Sequence, residues 1–440
     1  MKTGEYRDYS VLMSVYDKEK SEYLKQAIES IQAQTVSTDD FVLVCDGPLN
    51  AALDAVIAEK QKEMGETLNV IRLTKNSGLG NALNEGIKHC KNELVARMDS
   101  DDIAFPERCE KQIATSFTHL LRGILWRKKY WCTEKLNHWL DDFHPECVFL
   151  AFSDDYFIPQ IALYVAQRYH VPIISCIGDD YYFNLNKTLN PLYHLYKSTY
   201  KKLIDKVLAW PGSAIYISDK IRDKYNSEFG LAGETVYLTS TIQRKPFKAI
   251  NKECPIITYF GNIGMGRNNS LNDIGNALGK INVHYMLEVY SNEKDEQVYS
   301  AFTKNPNVKY MGSVPYTQVQ KRMAESDITV IVEGFEEKDI NLSRYSLSTK
   351  AADALASGAS ILTYGSLESG IVEYMQSTNA AMVCTQKEKL VDSIERLLSD
   401  PKLQKRYYDQ AIVMTRKHHN LQSSCKISES VIEKAIRSMR

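Results

Sequence analysis

The stretch "ELVARMDSDDI" (Glu93–Ile103) runs from a short apolar segment, Leu94-Val95-Ala96, to three carboxylates, Asp99, Asp101 and Asp102. A brief apolar run of this kind reads as a buried strand. Further back, "LNVIRLT" from Leu68, "FVLVCDG" from Phe41 and "YSVLMSVY" from Tyr9 read the same way. Amphipathic stretches such as "EYLKQAIESIQAQ" and "GLGNALNEGIKHC" separate them, and this alternation predicts a parallel sheet covered by helices. Ligands of such sheets bind outside the carboxyl ends of the strands. Asp46-Gly47 ends the second strand and Asp99, Asp101 and Asp102 end the fourth, so their carboxylates can converge on one crevice. An Asp-x-Asp pair there can hold a hard divalent cation that neutralises a diphosphate. Asp46 can accept hydrogen bonds from a base or ribose. Asp after a strand also makes turns and helix caps, so the residues by themselves leave both readings open.

The bulk properties set the class. The chain has 440 residues, enough for two or three domains. Charged residues are 25% and hydrophobic ones 44%, ordinary for a globular protein, and the net charge of -1 gives no basic field to attract nucleic acid. Nine dispersed cysteines with no CxxC pair suggest reduced thiols in a cytoplasmic protein. The sequence has no apolar run long enough for a transmembrane helix and no secretory signal.

After Ile113 the character changes. Phe117 to Trp139 is a basic, aromatic helical stretch, with Arg122, Arg127, Lys128 and Lys129 beside Trp126, Tyr130 and Trp131. It is either a scaffold helix covering a sheet or a peripheral contact with an anionic membrane face, where lipid-linked molecules reside. Strands resume at "CVFLAF", "VPIISCI", "SAIYIS" and "TVYLTS". A third set comes after "NKECP": "IITYFGN", "HYMLEVYS", "VKYMG", "ITVIVEGF", "SILTYG" and "AAMVCT". In "YFGNIGMGRNNSL" a strand leads into a loop with Gly261, Asn262, Gly264 and Gly266, then Arg267. Glycines let the backbone approach a phosphate and Arg267 can pair with it, although such loops also serve as simple tight turns. "SLSTKAADALASG" starts a helix at which Ser348, Thr349, Lys350 and the first amides form an anion site, or else an ordinary cap with Asp353 as a first-turn acid. Glu333 ends the strand "ITVIVEG" and can bind sugar or ribose hydroxyls. Asp179 and Asp180 end "PIISCIGDD", where a turn is the alternative.

Two resemblances organise these observations. "SVLMSVYDKEKSEYLKQAIESIQAQT", "VCDGPL" and "LTKNSGLGNALNEGIKHCKNELVARMDSDDIAFPERCEKQI" resemble the N-terminal half of a family 2 glycosyltransferase of the GT-A fold, over about the first 113 residues. The resemblance implies that Ser14, Tyr16 and Asp46 contact a nucleotide, that Asn76, Gly78 and Gly80 line the loop beside it, and that Asp99 and Asp101 bind the metal, magnesium or manganese. The acceptor half of that family is absent from the sequence beyond. From about Thr115 the chain instead resembles a family 4 glycosyltransferase of the GT-B fold, in "WLDDFHPECVFLAFSDDYFIPQIALYVA", "PIISCIGDDYYF", "YFGNIGMGRNNSL", "YMGSVPY" and "LSTKAADALASGASILTYG". That family's first strand and glycine-rich loop are missing. Its usual pair of acids stands eight positions apart; Asp353 fills the second place and Tyr345 the first, which leaves Glu333 or Glu336 for that role.

The expectation is therefore an α/β chain: a truncated GT-A nucleotide-binding sheet at 1–113, an incomplete GT-B N-terminal domain at 114–245, a GT-B C-terminal domain at 246–418, and a C-terminal helix at 419–440. The junction near Ile113 to Ser116 has no Gly or Pro run to act as a tether, so the fragment is expected to pack on the remainder of the chain. The implied reaction transfers a sugar from a nucleotide diphosphate sugar to a saccharide or lipid-linked acceptor in surface polysaccharide synthesis. Asp179, Arg267, Lys350 and Glu333 are the catalytic candidates, and the GT-B part requires no metal. The alternative is a catalytically inactive, nucleotide-binding fusion of two glycosyltransferases.

Overall fold

A computed structural model describes residues 9–92, 94–104, 126–155, 157–184, 190–293 and 296–439. The junction near 113–116 and the residues 117–125 of the basic aromatic stretch, Arg122 among them, lie outside these. The chain divides near residue 121 into two compact units.

In the first unit the strands are β1 (Tyr9–Val15), β2 (Asp40–Cys45), β3 (Leu68–Arg72) and β4 (Leu94–Asp99). All pair in parallel, in the order β3-β2-β1-β4. Alternate residues face opposite sides of the sheet. Val11, Met13, Phe41 and Leu43 pack with Leu24 and Ile28 of the helix Ser21–Gln32, whereas Leu12, Val42 and Val44 pack with Ala82 of the helix Leu79–Gly86. That helix lies so close that a side chain on Gly86 would meet Val44 within 2.6 Å. The sheet's lower edge is pinned by Asp40, which accepts from Ser10 Oγ at 2.5 Å and from the Lys91 amide at 2.7 Å. The register sets Ser14 beside both Val44 and Asp99, so the ends of β1, β2 and β4 lie level.

The second unit holds two parallel sheets. The smaller runs β5-β6-β7-β8 (Val148–Ala151, Ile173–Ile177, Gly212–Tyr216, Glu234–Thr235), the four strands expected from the sequence. The last is only two residues long, because the chain leaves the sheet toward the next domain well before "TVYLTS" ends. The described part of the basic aromatic stretch is two short helices, Lys128–Trp131 and Glu134–Phe143, with Thr133 capping the second through the Leu136 amide at 3.2 Å. Trp126 stacks on Phe157 at 4.6 Å, and Trp131 meets Tyr164 edge-on at 5.4 Å.

The larger sheet is β11-β10-β9-β12-β13-β14: β9 Ile257–Phe260, β10 Leu287–Tyr290, β11 Val308–Gly312, β12 Ile328–Val332, β13 Ser360–Tyr364 and β14 Met382–Cys384. This is a doubly wound order whose direction reverses between β9 and β12, the point at which such sheets bind ligands. Its central strands β9, β12 and β13 are almost wholly buried, as expected with helices on both faces, whereas the edge strand β11 is only partly buried. The final helix, Leu421–Met439, returns to the smaller sheet, where Val431 and Ala435 pack on Ile174 and Ile215.

Candidate functional site

In the first unit a cleft of about 710 Å³ opens at the carboxyl ends of β1, β2 and β4. Its lining includes Ser14, Tyr16, Asp46, Asn76, Gly78, Asp99 and Asp101, seven of the residues singled out from the sequence. Gly80 is not among them; it sits in the first turn of the helix Leu79–Gly86, with open space around it. Asp46 is buried and holds the loop: its carboxylate accepts from the Ser77 amide at 2.7 Å, the Ser77 hydroxyl at 3.1 Å and the Gly78 amide at 2.9 Å. Beside it Gly47 has φ +91°, and a Cβ there would lie 2.5 Å from the Asn76 nitrogen, so only glycine fits.

The rest of the lining is strongly charged. Asp17, Lys18 and Glu19, from the "YDKEK" run just past β1, join Asp99 and Asp101 there. Sequence reading passed over that run, although a charged cluster immediately after a strand end was the available signal. Asp99 forms an ion pair with Arg97 at 2.7 Å. Among the described residues no three His, Cys, Asp or Glu side chains are grouped to hold a metal ion by themselves. Two hard carboxylates facing a cleft still suit magnesium or manganese, which commonly bind one or two carboxylates and complete their shell with phosphate oxygens and water.

In the second unit the candidate residues gather at the β9–β12 switch point. Gly261 (φ +130°) and Gly266 (φ +73°) bound the loop after β9, and the loop is closed by the Gly264 amide donating to Asn262 Oδ1 at 2.7 Å. Arg267 begins the following helix. Its Nε and Nη2 donate to Glu333 Oε2 at 3.0 and 2.8 Å. Glu333, expected to face a sugar, is thus buried under Arg267, with 3% of its surface exposed. Burial pushes its carboxyl above the usual range, although Arg267 and Lys350 pull it down. Lys350 lies against Gly261, lies 4.9 Å from the Tyr259 ring centre and donates to Tyr259 Oη at 3.1 Å. The helix that Lys350 starts has no side-chain cap at Thr349, and its first two amides turn back onto Ser348: Lys350 donates to Ser348 Oγ at 3.4 Å and Ala351 to the Ser348 carbonyl at 3.0 Å, the ordinary cap that the sequence allowed.

Asp353 lies elsewhere: it accepts from Ser240 Oγ at 2.5 Å and from Tyr316 Oη at 3.1 and 3.2 Å. Glu336 is exposed and paired with Lys338 at 2.8 Å. Asp179 accepts from Ser346 Oγ at 2.7 Å and shares a cleft of about 320 Å³ with Arg267. Asp180 accepts from Tyr225 Oη at 2.9 Å and from the Tyr182 and Phe183 amides at 3.1 and 2.8 Å, the turn that sequence allowed.

Two residues near this site had gone unnoticed. Asp339 is buried against Gly266 and Gly334, and its Oδ2 has no hydrogen-bond partner; burial pushes its carboxyl up. Lys197 lines the smaller cleft from the helix Pro191–Leu208. A charge inside the tyrosine stripe Tyr193, Tyr196, Tyr200 was the signal for it.

Comparison with known proteins adds family information to each unit. The family described as "Glycosyl transferase family 2" matches residues 10–120, and that described as "Glycosyl transferase-like" matches residues 274–426. The amylovoran biosynthesis glycosyltransferase AmsE of Erwinia amylovora is 48% identical over 111 residues, which are 25% of this chain and 41% of that protein. The UDP-Gal:alpha-D-GlcNAc-diphosphoundecaprenol beta-1,3-galactosyltransferase of Escherichia coli is 38% identical over 102 residues, 23% of this chain and 36% of that one. The chain thus spans less than half the length of these curated relatives. Among solved structures, the sucrose-phosphate synthase of Thermosynechococcus elongatus superposes over 98% of this chain and 100% of its own with a TM-score of 0.52 at 9% identity. A mutant of the S. aureus protein TarM, solved with fondaparinux, alpha-GlcNAc-glycerol and UDP, superposes over 97% and 100% with a TM-score of 0.51 at 10% identity. At such identities the likeness is one of fold, an α/β architecture of parallel sheets.

Proposed function

We propose that the chain is a glycosyltransferase that moves a sugar from a nucleotide diphosphate sugar to a saccharide or lipid-linked acceptor in surface polysaccharide synthesis. The observation that carries this reading is the convergence of Ser14, Tyr16, Asp46, Asn76, Gly78, Asp99 and Asp101 on one cleft. In a parallel sheet that is where a nucleotide is held. Asp46 fixes the Ser77–Gly78 turn, and Asp99 and Asp101 are the residues that would hold a magnesium or manganese ion. Such an ion, when bound, neutralises diphosphate charge.

In the second unit Arg267 and Lys350 would supply positive charge where a diphosphate leaving group develops its negative charge. Asp179 is the candidate base across the small cleft. We further read the chain as two glycosyltransferase pieces joined, with the domain limits given above. Trp126, Tyr130, Trp139 and Phe143 are exposed near Lys128 and Lys129, which suits a peripheral contact with anionic lipid at the cytoplasmic membrane face. No described helix is long and apolar enough to cross a membrane.

A second reading, a nucleotide-binding chain without transferase activity, is favoured by one feature. The groups meant for ligand charge are satisfied internally, Arg267 by Glu333 and Asp99 by Arg97. Hydrolysis of a panel of nucleotide sugars by the full chain, with magnesium, manganese or EDTA, separates the two. Turnover lost in Arg267→Met supports the transferase, whereas binding without turnover of any donor supports the inactive form.

A further inference from the structure

The smaller cleft of the second unit contains a lysine that the proposed transfer does not use. Lys197 sits half-buried among three tyrosine rings, with Nζ 6.0, 5.7 and 5.6 Å from the ring centres of Tyr193, Tyr196 and Tyr200. These rings are themselves fixed. All three are buried; Tyr200 donates to the Ser153 carbonyl at 3.0 Å and Tyr196 to the Asp154 carbonyl. The ammonium is therefore held in place rather than swinging on a free stem. Its one hydrogen bond is to the Tyr181 carbonyl at 3.2 Å, and among the described residues it makes no ion pair. An ammonium has three protons to donate, so two remain for a ligand. Burial lowers its proton affinity, while Asp180 and Asp154 act from a distance to keep it charged.

The carboxylates nearby do not fill that need. Asp180 is taken up by two amides and Tyr225, and Asp179 by Ser346. The same cleft is lined by Arg267, Ser343 and Ser346. A pocket of about 320 Å³ lined by a positioned ammonium and a guanidinium, beside the hydrogen-bonded carboxylates of Asp179 and Asp180, can take an oxyanion that accepts from both cations, and a phosphoryl group is such an acceptor. We infer that Lys197 and Arg267 bracket a phosphoryl group in this cleft, carried either by the acceptor or by the donor's diphosphate. This rests on the reading of the second unit as a diphosphate site.

The test uses the full chain in EDTA, which removes any metal-dependent binding in the first unit. Affinities for UDP, and for methyl phosphate at saturating UDP, are measured by calorimetry in the parent, Lys197→Met, Lys197→Arg and Lys202→Met chains. Lys202 is an exposed residue of the same helix and serves as the charge control. Loss of a charge-assisted contact should weaken one of the two ligands by about tenfold or more in Lys197→Met, with partial recovery in Lys197→Arg and no change in Lys202→Met. Weakened methyl phosphate places the group on the acceptor, and weakened UDP places it on the donor. Unchanged affinity for both ligands, or equal losses in Lys197→Met and Lys202→Met, overturns the inference. If UDP fails to bind while methyl phosphate alone binds through Lys197, the donor reading falls and the phosphoryl site stands.

Discussion

Replacing Arg267 with Met tests the second site most sharply, because it separates a structural cost from a binding cost. Arg267 and Glu333 are buried together, and the guanidinium puts two N–H groups on one carboxylate oxygen at 2.8 and 3.0 Å. Removing the arginine leaves Glu333 buried without its counter-ion, a change that typically costs about 3–5 kcal/mol. Replacing both partners, Arg267→Met with Glu333→Gln, removes the stranded charge and should recover most of that stability, to within about 1–2 kcal/mol. Nucleotide affinity should behave differently: both variants lose the phosphate contact, so binding falls by about 10–100-fold in each. The pH dependence follows from Glu333, whose folded carboxyl is raised above its unfolded value by burial. Between the ordinary glutamate range and that raised value the folded state holds the extra proton, so stability falls as pH rises through this window. Without Arg267 the carboxyl rises further and the fall becomes larger. Because the two units need not unfold together, amide exchange in β9 and β12 is the assay of choice. A single substitution costing less than about 1 kcal/mol there, or a double variant that regains affinity along with stability, refutes the assignment.

Gly47→Ala forces a Cβ to within 2.5 Å of the Asn76 nitrogen at φ +91°, and should cost about 1–3 kcal/mol and loosen the 75–78 loop, seen as a lower melting temperature and weaker nucleotide binding. Asp46→Asn replaces an acceptor-only carboxylate that takes three donors with an amide, and should cost about 1–3 kcal/mol by urea denaturation. Asp99→Asn with Asp101→Asn should abolish whatever nucleotide binding in the first unit depends on divalent metal, so the stoichiometry of the parent chain in EDTA and of the double variant in magnesium should be equal. Trp139→Ala with Phe143→Ala should reduce flotation with vesicles containing anionic lipid, without change in the melting temperature, because both rings are largely exposed.

The strands were legible because their apolar runs are short; thirteen of the fourteen described ones lie on or within a residue of runs read from the sequence, and β8 shares only Thr235 with "TVYLTS". Right-handed β-α-β winding narrows the strand orders without fixing one, and ligand residues are looked for at the carboxyl ends of the strands whatever the order. What sequence could not show is which side chains satisfy one another. Glu333 and Arg267 are 66 residues apart and each reads as a ligand group; only the closing of the β9–β12 point turns them onto each other. Asp353 has the spacing of a sugar-binding acid, but Ser240 and Tyr316, 113 and 37 residues away, claim it. Lys197 carried only the signal of its place in the tyrosine stripe, because one lysine on a basic helix looks like solvent-facing charge until that stripe is seen to be buried.

If each unit holds a diphosphate, as proposed, the two meet the same electrostatic demand in opposite ways. Each presents the carboxyl ends of parallel strands at a point where the winding reverses, β1 against β4 in one and β9 against β12 in the other. In the first, the cleft walls carry Asp17, Glu19, Asp46, Asp99 and Asp101 against a single Lys18. A diphosphate entering there meets like charge and needs a cation between itself and the wall. In the second, on the proposed reading, Arg267 and Lys350 would offer the diphosphate positive charge directly. On this proposal added salt should weaken both, whereas a chelator should silence only the first, because only that unit would need an ion that is not part of the chain.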